Sequence, residues 1–208
     1  AGQSLTGLDV VMRVVDQASS GANPAAGISA DLNPAKGNQK SAALGGVQPD
    51  HEIALAIYAE GVKDLIGYAV GLEFDTTKVA FAGADGGTVE EQNVLTASGG
   101  TMLFVKQPPK GNVVSIGGAL LSPTSTTAPD GSGLLGIFRF TVLEGFSSSA
   151  EFRVPRVQFR SLTGRDTVEV NVSATLSAQG AAPPPTGGLS PKAGDGTGLL
   201  RVMNENAK

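Results

Sequence analysis

Residues 61–79 read Gly61-Val62-Lys63-Asp64-Leu65-Ile66-Gly67-Tyr68-Ala69-Val70-Gly71-Leu72-Glu73-Phe74-Asp75-Thr76-Thr77-Lys78-Val79. Ile66, Tyr68, Val70, Leu72 and Phe74 fall on one side of a period-two alternation. Gly67, Ala69, Gly71 and Glu73 fall on the other. A repeat of two places successive side chains on opposite faces, so this is a half-buried strand and not a helix. The alternation ends at Asp75, and Val79–Phe81 starts a further brief strand.

The same pattern extends in both directions. Upstream, Ile53, Leu55 and Ile57 oppose Glu52, Ala54, Ala56 and Tyr58, and a short strand at Ile28–Leu32 ends at Asn33-Pro34. Downstream, strands are expected at Thr101–Lys106 and Asn112–Leu120, separated by Pro108-Pro109, and at Gly133–Leu143, Glu151–Phe159 and Thr167–Leu176. In the last of these, Val168, Val170, Val172 and Ala174 form the apolar side. Only Val89–Leu95 looks helical, and it is short. Eight or nine strands with turn residues between them predict an all-β sandwich over residues 28–178. It is flanked by two arms, 1–27 and 179–208. The first contains one extended apolar stretch, Leu8 to Val15. The second opens on Ala181-Ala182-Pro183-Pro184-Pro185 and ends near Leu199-Leu200-Arg201-Val202-Met203.

Composition narrows the function. Glycine (29) and proline (12) make 41 of 208 residues, about 20% against a usual share of about 12%. With a hydrophobic fraction of 40%, that excess belongs in turns and extended connectors around a real core. There is no cysteine, so no disulfide framework, thiol nucleophile or thiolate metal site is expected. There is one histidine, His51, in a polar turn. There is no tryptophan, and the tyrosines are Tyr58 and Tyr68, which leaves few platforms for stacking sugars or bases. A net charge of −4 argues against a phosphate-binding surface, so no nucleic-acid partner is expected. No apolar run reaches the roughly 18 residues of a membrane span. The start at Ala1-Gly2-Gln3 reads as that of a mature secreted chain. No catalytic residue is expected. Glu90-Glu91 are adjacent, and neighbouring residues do not face one another on a helix.

Three stretches of the central domain resemble the cohesin family. The first, 61–79, is similar to its G-x-x-x-x-L-x-[FY]-D-x-x-x-[LV] hairpin. The second, Gly131-Ser132-Gly133-Leu134-Leu135-Gly136-Ile137-Phe138-Arg139-Phe140-Thr141-Val142, resembles its late G-x-L-x-x-I-x-F-x-V strand. The third is the closing strand, Val168–Leu176. The resemblance covers about 150 residues and implies a cohesin-like jelly-roll β-sandwich of about nine strands, extracellular and non-catalytic. The family's best-known members bind dockerins, which are small calcium modules. The two arms lie outside the family pattern.

Polar loops invite other chemistry. Asp31-Leu32-Asn33-Pro34-Ala35-Lys36-Gly37-Asn38 has the look of a calcium loop, but it lacks the third oxygen ligand and terminal Glu of an EF-hand, so it is read as a turn. Asp85-Gly86-Gly87, Asp130-Gly131 and Asp195-Gly196 are likewise turns first. No cofactor is expected; calcium is the ion such turns would hold. Asn171-Val172-Ser173 matches a glycosylation sequon inside an expected strand, and Ser122–Pro129 is mucin-like in composition.

The functional expectation centres on Leu8–Val15. Leu8, Val10, Met12 and Val14 share one face, and Val11 and Val15 lie on the other. Such a stretch has to be buried. It pairs either with its own sandwich or, by strand addition, with the edge of a neighbouring copy. The second option makes the chain a structural subunit of an extracellular or cell-surface filament or layer, a homopolymer. Leu199, Leu200, Val202 and Met203 are candidates for a second arm contact. The alternative function is a monomeric cohesin-like module that binds a dockerin or another surface protein through the flat face of one sheet.

Overall fold

A computed structural model describes residues 21–33, 37–88 and 90–179. Ten strands follow in order: β1 (Gly27–Asp31), β2 (Ala43–Val47), β3 (Glu52–Val62), β4 (Leu65–Phe74), β5 (Val79–Asp85), β6 (Met102–Lys110), β7 (Val113–Leu120), β8 (Gly131–Val142), β9 (Ser149–Ser161) and β10 (Arg165–Ala178). They form a four-stranded sheet, β1-β3-β8-β5, packed against a six-stranded sheet, β2-β10-β9-β4-β7-β6. The two make a jelly-roll sandwich. Among the described residues every pairing between these strands is antiparallel except β2 with β10.

The alternation read from the sequence sets the core. Tyr68, Val70, Leu72 and Phe74 of β4 are buried, and so are Ile53, Leu55 and Ile57 of β3. Phe138 and Phe140 of β8 and Phe152 and Phe159 of β9 are almost fully enclosed. Phe140 joins the sheets: its ring centroid lies 4.7 Å from Phe152, 5.1 Å from Phe74 and 5.8 Å from Phe81. Each fully buried Phe contributes roughly 1.5–3 kcal/mol. Among the described residues, every buried side-chain nitrogen or oxygen has a hydrogen-bond partner. No helix among them is long and apolar enough to cross a membrane.

Four expectations change. β2 carries Gly45 and Gly46, the latter at φ 73°, and shows no alternation, so only its pairing with the end of β10 makes it a strand. β6 runs through Pro108-Pro109 to Lys110 instead of stopping at Lys106. It is an edge strand, where missing N–H groups cost no ladder bond. β5 extends to Asp85 through a register shift between Phe81 and Gly83. The helical stretch shrinks to a single 3₁₀ turn, Val94–Thr96, capped by the Asn93 side chain, which accepts the Leu95 N–H at 3.0 Å.

β10 is buried unevenly. Ala174 and Leu176 are enclosed, but Val168, Val170 and Val172 are only half-buried against the core. β2 pairs with Thr175, Leu176 and Ala178 alone, so among the described residues the outer flank of Arg165–Ser173 has no strand hydrogen-bonded to it.

Candidate protein-docking face

The outward side of the six-stranded sheet is set by the strand registers, because directly paired residues project from the same face. Arg160 (β9), Gly67 (β4), Ala119 (β7) and Leu103 (β6) form one row across it. Gln158, Ala69, Gly117 and Val105 form the next, and Gly71, Ser115 and Gln107 lie below. The floor is therefore almost free of side chains. One wall is polar and basic, with Arg160, Gln158 and Arg156. The other is apolar, with Leu103 and Val105 at 53% and 47% exposure. Two shallow depressions follow the floor. One of about 570 Å³ is lined by Gly67, Ala69, Ala119, Gln158, Arg160 and Arg165 among others. One of about 450 Å³ is lined by Gly71, Ser115, Arg156 and Glu169 among others.

Packing explains only part of this flatness. A Cβ on Gly67 would sit 3.1 Å from the Gly118 carbonyl oxygen, and one on Gly117 3.1 Å from that of Tyr68, so the backbone resists larger residues at both. A Cβ on Gly71 would meet only Ser115 Oγ at 3.8 Å. The fold tolerates a side chain there, and the flat surface is what its absence preserves.

Behind the floor the sheet is braced. Tyr68 points inward over Gly118, its cross-strand partner. Its hydroxyl donates to the Leu135 carbonyl, and Asn93 Nδ2 reaches the Tyr68 oxygen at 2.7 Å and the Leu135 and Gly86 carbonyls at 2.8 Å each. Burial pushes the Tyr68 phenol well above its ordinary pKa, against the opposing effect of the Asn93 hydrogen bond.

Charge is graded along β9. Arg153 is paired in register with Glu73 and Arg156 with Glu169, whereas Arg160 faces Gly67 on one side and Arg165 on the other. One end of the face therefore carries two exposed guanidiniums with no carboxylate in register.

The opposite face of the sandwich has a smaller depression, about 290 Å³, lined by Asp31, Tyr58, Glu91 and Arg139 among others. Burial and a hydrogen bond to Glu91 raise the Tyr58 phenol. The Asp31 carboxylate accepts the backbone N–H groups of Asn33 (2.8 Å) and Gln39, so it closes its own loop. Asp85 pairs with Arg139 at 2.7 Å, and Asp130 accepts the Asp64 N–H at 2.7 Å. Among the described residues no three His, Cys, Asp or Glu side chains cluster to hold a metal ion. His51 Nδ1 accepts the Gln48 N–H at 3.3 Å within its turn.

Leu8, Val10, Val11, Met12, Val14 and Val15 lie outside the described residues, as do Leu199, Leu200, Val202, Met203 and the Asp195-Gly196 turn. Sequence reasoning named a flat sheet face in general terms but missed Leu103, Val105 and the row of small residues. The available clue was the outward phase of two strands, Gly67-Ala69-Gly71 and Ser115-Gly117-Ala119, in which every residue is small.

No protein-family model matches this sequence, and no curated protein matches it. Solved structures match the fold. The sixth cohesin of scaffoldin B from Acetivibrio cellulolyticus, solved in complex with a Cel5 dockerin mutant, is 15% identical, with a TM-score of 0.53 over 74% of this chain and 99% of its own. A non-cellulosomal cohesin from the archaeon Archaeoglobus fulgidus is 16% identical, with a TM-score of 0.50 over 74% of this chain and 90% of its own. The cohesin module of a Clostridium perfringens family 33 glycoside hydrolase is 10% identical, with a TM-score of 0.53 over 76% and 98%. With two sheets, a braced flat face and these neighbours, the chain has the fold of a cohesin-like β-sandwich.

Proposed function

We propose that this chain is a non-catalytic protein-binding module, displayed outside the cell, whose β9-β4-β7-β6 face docks a dockerin-type or similar surface protein. The observation that carries this is the face itself: a floor of small residues, with Gly71 unrequired by packing, between exposed Leu103 and Val105 and the Arg160–Arg165 end. A flat sheet with an apolar side suits a rigid partner surface. Apolar side chains of the partner would meet Leu103 and Val105, and its acceptor groups would meet Arg160 and Gln158. Cohesin structures of the same fold, solved with dockerins, supply the partner class.

Titration calorimetry of the chain against a panel of calcium-loaded dockerin modules tests this. Binding is expected at micromolar Kd or tighter, with at least a tenfold loss in the Leu103→Asp/Val105→Asp variant at unchanged thermal stability. Absence of binding across the panel, or binding indifferent to those two substitutions, refutes it.

The competing function is the filament subunit, in which Leu8–Val15 adds to a neighbour's sheet. The observation on its side is the flank of β10 that no strand pairs with among the described residues. Electron microscopy of the purified chain separates the two: fibres favour the subunit and dispersed particles favour the module.

A further inference from the structure

The sandwich has four sheet edges, and they are not protected alike. β6 carries Lys106, Pro108, Pro109 and Lys110, residues that discourage a further strand from pairing. β1 is only five residues long. β5 is broken by a register shift at Gly83. β10 between Arg165 and Ser173 has no proline, no lysine and no strand hydrogen-bonded to its outer flank among the described residues. β1 of the facing sheet packs near it without pairing, and its own register shift between Glu169 and Val172 lies in the pairing with β9. It presents half-buried Val168, Val170 and Val172. Such a flank in a lone domain is a template for uncontrolled pairing.

The N-terminal chain arrives at this flank. Gly21 N–H donates to the Arg165 carbonyl at 3.2 Å, Ala22 N–H to Ser161 Oγ at 3.0 Å, and Asn23 N–H to the buried Asp166 carboxylate at 2.8 Å. Asn23 is locked from the other side: its Nδ2 donates to the Lys63 carbonyl at 2.9 Å and its Oδ1 accepts the Lys63 N–H at 2.6 Å. A Cβ on Gly21 would collide with the Asp166 carboxylate, so glycine permits this approach. The described chain thus begins, at Gly21, beside the start of β10's open flank.

We infer that the open flank of β10 is closed by this chain's own segment Leu8–Val15, added antiparallel as an eleventh strand. Eight residues span about 27 Å as a strand, which the nine-residue flank accommodates. Continuing the register straight back from Gly21 would set the polar run Asp16-Gln17-Ala18-Ser19-Ser20 against the valines. A five-residue turn at 16–20 instead brings Leu8, Val10, Met12 and Val14 over Val168, Val170 and Val172, and a connection of that length is ordinary. A short tether holds the segment at an effective concentration in the millimolar range. At micromolar protein this favours the chain's own segment over a neighbour's by about a thousandfold. This inference does not rest on the docking face, and each can fail without the other.

The chain has no native cysteine, which makes disulfide trapping clean. In the full chain, Val170→Cys is combined in turn with Val10→Cys, Met12→Cys and Val14→Cys and oxidised at micromolar concentration. Hydrogen exchange of residues 165–173 is compared between the unsubstituted chain and a Val10→Asp/Met12→Asp variant. The expected result is an intrachain disulfide in at least one pair, on a monomeric protein, and at least tenfold faster exchange of flank amides in the variant. Interchain ladders would overturn the inference in favour of donation to a neighbour. Absence of cross-links with unchanged exchange would overturn it in favour of a bare edge.

Discussion

Gly118→Ala tests the brace behind the docking face most directly. A Cβ at position 118 would lie 2.6 Å from Tyr68 Cε1, 2.7 Å from Cζ and 2.8 Å from the hydroxyl oxygen. The ring cannot swing aside cheaply, because its hydroxyl is held by the Leu135 carbonyl and Asn93 Nδ2. Overpacking of this kind costs about 1–3 kcal/mol, and loosening the Tyr68 hydrogen bonds adds about 1 kcal/mol. Reduced freedom of the unfolded chain returns about 0.5–1 kcal/mol. The net expectation is a loss of about 1–3.5 kcal/mol, equivalent to a midpoint about 2–14 °C lower for a domain of this size. Gly71→Ala is the matched control; its Cβ makes ordinary contact only, so stability should hold or rise slightly. Urea unfolding followed by far-ultraviolet circular dichroism is the assay, since the chain lacks tryptophan. The cycle is completed in a Tyr68→Leu background, where the penalty of Gly118→Ala should nearly vanish. An equal penalty in both backgrounds, or a loss below about 0.5 kcal/mol in the first, would refute the steric account.

Three further expectations follow from the same coordinates of charge and burial. Tyr68→Phe removes one donor to Leu135 while Asn93 still reaches that carbonyl, so it should cost about 1–2 kcal/mol in urea melts, less than Gly118→Ala. Both phenols are raised in the folded protein, so above about pH 10 the unfolded chain ionises first and stability falls as pH rises. Phenolate absorbance should then appear together with unfolding, and Tyr68→Phe should flatten the dependence. Asn23→Ala strands the Lys63 N–H and carbonyl and should cost about 1–3 kcal/mol; a thermal melt that matches the parent protein would show that this link does not pin the N-terminal chain.

The two sides of the sandwich divide the work. Apolar alternation turned inward builds the Phe140-centred core, and the outward phase of the same strands makes the face. Because each strand serves both, a substitution that fills Gly71 or Ala69 changes the surface with little effect on the core, whereas one at Gly118 does the reverse. That separation makes docking and stability independently testable.

What the sequence determined by itself was local. Period-two alternation is a property of successive residues, so β3, β4 and β8 could be placed without any partner, and the all-β class with its cohesin-like pattern came with them. The absence of cysteine and tryptophan and the single histidine likewise narrowed the chemistry before any geometry. Tertiary structure decided whatever depends on a neighbour distant in the chain. β2 is a strand only because β10 lies beside it, and β6 tolerates Pro108-Pro109 because among the described residues it is an edge strand with no pairing on its outer side. The docking face exists only because Gly67, Ala119 and Leu103, from three different strands, fall into one row. The half-burial of Val168, Val170 and Val172 was invisible in a clean apolar alternation, since exposure depends on whether a further strand covers the edge, and alternation records only which side a residue faces.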